Sequence, residues 1–238
     1  MDSGSSRTCG SSTELLVTSF FSLPIEIRED IYKRVLTVAH PLYIFQGRGC
    51  RVETFAPDIP RRWLALLHAN RQIHQEASGV LYRSNHFNLV DTRKKQADLL
   101  QSFLNCIGSL NAGFLSHLCI SFPAIDAVEK DSQNLQLSED GLRTLKILRD
   151  KCTSLTTLEM FVPSRNFSGI TTTVHDNWCS TQKALLEIDA HLNPIRSLHR
   201  TIVRVWSGTP TPSAMELMQG LGWVVLLGDQ KITQGIVG

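Results

Sequence analysis

One apolar pattern occurs twice, at a spacing that leaves the chain few ways to fold. Leu115-x-x-Leu118-x-Ile120-x-Phe122-Pro123 returns 40 residues later as Leu155-x-x-Leu158-x-Met160-x-Val162-Pro163. Alternation of this kind puts every second side chain on one face of a strand. Between the copies, Ser138 and Glu139 open a helical pattern with Leu142, Leu145, Ile147 and Leu148 inside. A unit of one helix and one strand cannot bury its apolar face alone, so neighbouring units must stack. A third copy is faint, at Ile195 and Leu198, with Arg200 breaking the pattern.

The same alternation of element types extends over the second part of the chain. Strands are expected at Phe87 to Val90, near His199 to Trp206, and at Trp223 to Leu227. Helices are expected at Lys94 to Ile107, with Leu99, Leu100, Phe103 and Leu104 inside, at Asn177 to Leu192, and at Pro212 to Gln219. Strands alternating with helices predict βα units and a largely parallel sheet, an α/β fold.

The first part reads differently. Residues 1–14 are a Ser/Gly/Thr-rich stretch without periodicity, expected as a disordered tail. Pro24 suits a first helical turn, and Glu26 complements the positive end of the helix dipole. Leu23, Ile27, Ile31 and Val35 recur every fourth residue and predict the apolar stripe, widened by Tyr32 and Leu36. Arg28, Glu29, Asp30, Lys33 and Arg34 are expected on the opposite face. The helix should end before His40-Pro41. Leu42 to Phe45 and Arg51 to Phe55 predict short strands about a Gly47–Gly49 turn. A helix using Trp63, Leu64 and Leu67 follows. Asn70 caps another, with Ile73, Ala77, Val80 and Leu81 buried, that stops near Asn85.

Composition excludes several function classes. Apolar residues form 42% of the chain and charged residues 19%, a balance that supports a packed core. The net charge of +2 gives no reason to expect nucleic acid or a membrane surface as partner. No apolar run approaches the roughly 20 residues of a membrane span. The stretch Leu15 to Ile27 fails as a secretory signal because Thr18, Ser19 and Ser22 interrupt it. An intracellular chain with reduced cysteines is the expectation, with Cys106, Cys119 and Cys152 in the core. No cysteine pair has zinc-knuckle spacing, and His68, His74 and Glu76 do not form a zinc motif. No metal or cofactor is expected. Gly220-x-Gly222 lies after a helix and before a strand, the reverse of a dinucleotide site. Arg93-Lys94-Lys95 is a short basic cluster without stacking aromatics. The one catalytic reading pairs a Cys179 nucleophile with His175, near Asp176. Partners so close in sequence fit a capped loop better.

The string Leu23-Pro24-Ile25-Glu26-Ile27-Arg28, followed by Ile31-Tyr32, resembles the opening of an F-box. Fungal F-box-like proteins also show a segment similar to Leu66-Leu67-x-x-Asn70-Arg71-Gln72-Ile73-x-x-Glu76-Ala77, then Leu81-Tyr82 and Asn85-x-Phe87. The resemblance covers roughly residues 20–123. It implies an N-terminal helical module, residues 15–85 with an insertion at 41–60, packed on a leucine-rich-repeat-like βα array over 86–238. It also implies a non-catalytic role as substrate-recognition subunit of a cullin–RING ubiquitin ligase. Leu23, Pro24, Ile27 and Ile31 would dock on the ligase's adaptor, and the sheet region would face a protein substrate. The strand motif departs from true leucine-rich repeats in lacking their asparagine, and its 40-residue offset is longer than theirs. A non-ligase scaffold, in which the same stripe is only core, and an enzyme using Cys179 and His175 stand as the alternatives.

Overall fold

The computed structural model describes residues 19–47, 49–57, 59–90, 95–128, 131–162, 178–206 and 208–228. The tail over 1–14, His175, Asp176, Arg93 and Lys94 lie outside the described residues.

The chain is α/β. After a 3-10 turn at Phe20–Ser22, helix α1 spans Ile25–Leu36, with Pro24 immediately before it. Strands β1 (Leu42–Gln46) and β2 (Val52–Phe55) form a hairpin. A 3-10 helix (Trp63–His68) leads into α2 (Arg71–Ser84). The Asn70 side chain accepts from the Ile73 amide at 2.9 Å, capping α2 as its sequence predicts. Then follow β3 (His86–Leu89), α3 (Gln96–Ile107), the single turn α4 (Ser109–Ala112) and β4 (His117–Ser121). A hairpin of β5 (Ile125–Val128) and β6 (Asp131–Leu137) precedes α5 (Glu139–Lys151) and β7 (Thr157–Val162). Helix α6 (Trp178–Leu192), β8 (Arg200–Val205), α7 (Pro212–Gly220) and β9 (Val224–Leu227) complete the order.

Seven strands form one sheet in the order β2-β1-β3-β4-β7-β8-β9. Among its described residues, only the β1–β2 pair of this sheet is antiparallel. The parallel strands thus run across the sheet in sequence order. Successive crossovers of one hand, each reaching the next strand in line, stack their helices on a single face. The core agrees. Phe87, Leu118, Ile120, Leu158, Met160, Val162, Val203 and Val205 cluster with buried residues of α3, α5, α6 and α7. Ile202 and Leu226, though buried, point to the other face and belong to no such cluster.

The register places the repeat. Leu118 pairs with Leu158, and Leu158 with Thr201. The third copy is therefore Leu198-x-x-Thr201-x-Val203-x-Val205, three residues beyond the position that a uniform 40-residue offset predicts. Arg200 does not break it, because Arg200 faces away from the helices. At the start of the strands, side chains tie each unit to the one before. The Ser116 hydroxyl donates to the Arg83 carbonyl (2.5 Å), Thr156 to the Ser116 carbonyl (2.9 Å) and Ser197 to the Leu155 carbonyl (2.9 Å). These hydroxyls link the units in the absence of an asparagine at the repeat position.

One expectation needs correction, and two features were not foreseen. Residues 42–55, within the 41–60 stretch read as an insertion, extend the sheet: β1 pairs parallel to β3, Leu42 opposite Phe87 and Ile44 opposite Leu89. The β5–β6 hairpin, which lies against α6, was not legible. Cys106 is exposed on α3, whereas Cys152 is buried and Cys119 half-buried. At α3 the inward positions are already filled by Leu99, Leu100, Phe103 and Leu104, which leaves Cys106 on the outer side.

Candidate docking surface

Helices α1 and α2 enclose a small core of their own: Tyr32, Leu36, Ile73, Ala77, Val80 and Leu81. Its construction overturns one expectation. The line of α1 that faces α2 is Arg28, Tyr32 and Leu36, not the apolar stripe one residue away. Arg28, expected outside, is only 8% exposed.

The partner of Arg28 is a carboxylate on α2. Glu76 accepts from Arg28 through both oxygens, Nε to Oε2 at 2.9 Å and Nη2 to Oε1 at 2.8 Å. The Tyr32 hydroxyl donates to Oε2 (2.9 Å) and Gln72 to Oε1 (2.9 Å). The remaining Arg28 nitrogen, Nη1, donates to the Leu23 carbonyl at 2.6 Å. A fork meeting a carboxylate in this way fixes orientation as well as adding attraction. The hydrogen bonds from Arg28 hold the Glu76 carboxyl at about 2, against the opposing effect of burial. Burial and the bond to Glu76 push Tyr32 up to about 12.

With Arg28 turned inward, the apolar stripe is left outside. Ile27 is 50% exposed and Val35 46%, and Ile31 is half-buried between them. Phe21 and Ile25, each 39% exposed, add to the apolar surface at the start of the helix. Of the four residues the sequence nominates, Ile27 and Pro24, which precedes α1, are exposed, and Leu23 and Ile31 are half-buried. Sequence reading missed Phe21 and Ile25, which fall outside the four-residue spacing. It placed Val35 in the stripe without assigning it to docking.

The second face of the sheet carries a polar row. His86 and His117 are direct neighbours on β3 and β4, with ring centroids 3.3 Å apart. His117 Nε2 lies 4.0 Å from Glu159 on β7, and Arg204 on β8 pairs with the same carboxylate. Burial opposes ionisation of Glu159, but His117 and Arg204 together hold its carboxyl below the ordinary value. Burial and then His117 push His86 down to about 4, although part of the ring reaches the surface. Burial, then Glu159, pushes the Cys119 thiol up to about 12, so it stays protonated and is no nucleophile at neutral pH. Among the described residues no group of three or more His, Cys, Asp or Glu is placed to hold a metal ion.

Cys179 is exposed in the first turn of α6, and its proposed partner His175 falls outside the described residues. The hollow between α3, α4 and the end of α5 is lined by residues such as Asn105, Gly108, Asp150 and Lys151, and holds neither cysteine nor histidine. No described helix is long and apolar enough to cross a membrane.

No protein-family model, curated protein or solved structure matches this chain.

Proposed function

We propose that this protein is a protein-interaction subunit of F-box-like type, which docks on the adaptor of a cullin–RING ubiquitin ligase through α1 and offers its sheet to a protein target. The observation that carries the proposal is the exposure of Ile27 and Val35 on a helix whose inner line is already satisfied by Glu76 and the α2 core. An apolar stripe that the fold does not use is surface available to a partner. Chemistry of transfer would belong to other subunits, and the work of this chain would be positional. The half-burial of Leu23 and Ile31 favours a second reading, a scaffold that needs no adaptor.

The test is a binding titration of the purified protein with the adaptor subunit, beside an Ile27→Ala/Val35→Ala variant. Both positions are exposed, so the variant is expected to fold within about 0.5 kcal/mol per site of the parent, as checked by circular dichroism and urea unfolding. If the stripe is the centre of the contact, affinity falls by roughly 30-fold or more, the loss typical of interface hot spots. Absence of binding by the folded parent protein would remove the ligase reading and leave the scaffold.

A further inference from the structure

We infer that Glu76 is a positioning residue: it sets the rotation of α1 about its axis, and so decides which line of that helix is offered to a partner. The functional meaning rests on the docking reading above, whereas the rotational preference stands on the geometry alone.

Helix α1 carries two lines with the same four-residue spacing, Arg28/Tyr32/Leu36 and Ile27/Ile31/Val35. They lie one residue apart, which is about 100° around the helix. Apolarity alone selects the second line for burial, since three branched aliphatic side chains compete with an arginine, a tyrosine and a leucine. The fold buries the first. The surface of α2 opposite supplies Ile73, Ala77, Val80 and Leu81, which would receive either line, and one group that would not. Glu76 sits in the contact with its side chain only 17% exposed. A charge removed from water needs donors. Arg28 and Tyr32 give it three hydrogen bonds from α1, and Gln72 on α2 itself gives a fourth. Turned by one residue, α1 would present Ile27 and Ile31 to that carboxylate and no donor. Glu76 thus penalises the more apolar arrangement, a polar group that acts on register as well as on stability.

The reporter is an Ile27→Cys substitution, labelled with a maleimide and read by peptide mass so that Cys50, Cys106 and Cys179, all exposed, do not interfere. In the parent background this thiol should react freely. In Arg28→Met/Glu76→Met, which removes both charges and keeps the volume, α1 is free to turn the stripe inward. Labelling should then slow roughly tenfold or more, because reaction requires local opening. An unchanged rate in the folded double variant overturns the inference. Should that variant not fold, Arg28→Leu/Glu76→Leu, which likewise removes both the carboxylate and its fork, is labelled in its place with the same two outcomes. Adaptor binding is measured on the forms that retain Ile27. Slower labelling together with lost binding supports the positioning role, and slower labelling with undiminished binding overturns it. If the parent protein does not bind the adaptor, labelling alone decides the rotation of α1, and it is the docking reading that has failed.

Discussion

Asn85 holds the helical module and the sheet together at the smallest scale. It is 2% exposed and uses its whole amide: Nδ2 donates to the carbonyls of Leu36 (3.0 Å) and Leu81 (2.9 Å), and Oδ1 accepts from the Val38 amide (2.9 Å). The ends of α1 and α2 are thereby joined one residue before β3 begins. Asn85→Ala would leave two helix-end carbonyls and an amide without their partners, and is expected to lower stability by about 3 kcal/mol. Urea unfolding of parent and variant measures it, and a loss under about 1 kcal/mol would show that water replaces the amide. Residues of this scale divide sharply in legibility. Asn70 could be read as a cap because its partner is three residues away. Arg28 could not be placed, because its partner Glu76 lies 48 residues along the chain and a lone arginine in a helical pattern reads as solvent-facing.

At the scale of elements, the contact of α1 with α2 should weaken in acid. The Glu76 carboxyl is lowered from 4.5 to about 2 in the folded chain, chiefly by the bonds from Arg28. Between those values the unfolded chain binds the proton and the folded one does not. The stabilisation is complete above about 4.5 and is lost as pH falls towards 2. The urea midpoint of the parent should drop between pH 5 and pH 3, and by less in Glu76→Gln, which has nothing to titrate there. Equal slopes in the two proteins would mean that other carboxylates carry the acid response. Most elements were visible in the sequence, since periods of two and of 3.6 distinguish β4 from α5 without tertiary knowledge. The exceptions share a cause. The β5–β6 hairpin and the three-residue displacement of the third repeat are set by what each segment pairs with, and pairing leaves no period in a single strand.

For the molecule as a whole, two hydrophobic cores meet at a few side chains. Trp63 and Tyr82 pack against both the α1–α2 core and the larger core under the sheet, and Tyr82 also stacks on Phe87 with ring centroids 5.6 Å apart. Trp63→Ala should lower stability by about 2 kcal/mol, less than the roughly 3–5 kcal/mol of a fully buried tryptophan, because Trp63 is only half-buried. It should also let the α2 amides exchange with solvent ahead of those of β7 and β8, as hydrogen exchange would register. Protection that falls evenly across both regions would indicate a single cooperative unit.

A sheet whose parallel strands stand in sequence order behaves under tension as a chain of links. A pull entering through α1 and leaving beyond β9 would pass through every ladder in series, so the strength of the assembly is that of its thinnest rung. The ladders β1–β3 and β3–β4 hold three residue pairs each, against six between β7 and β8. The seam that would part first therefore lies beside the helical module, and the broader half of the sheet would remain intact after α1 and α2 had been drawn away.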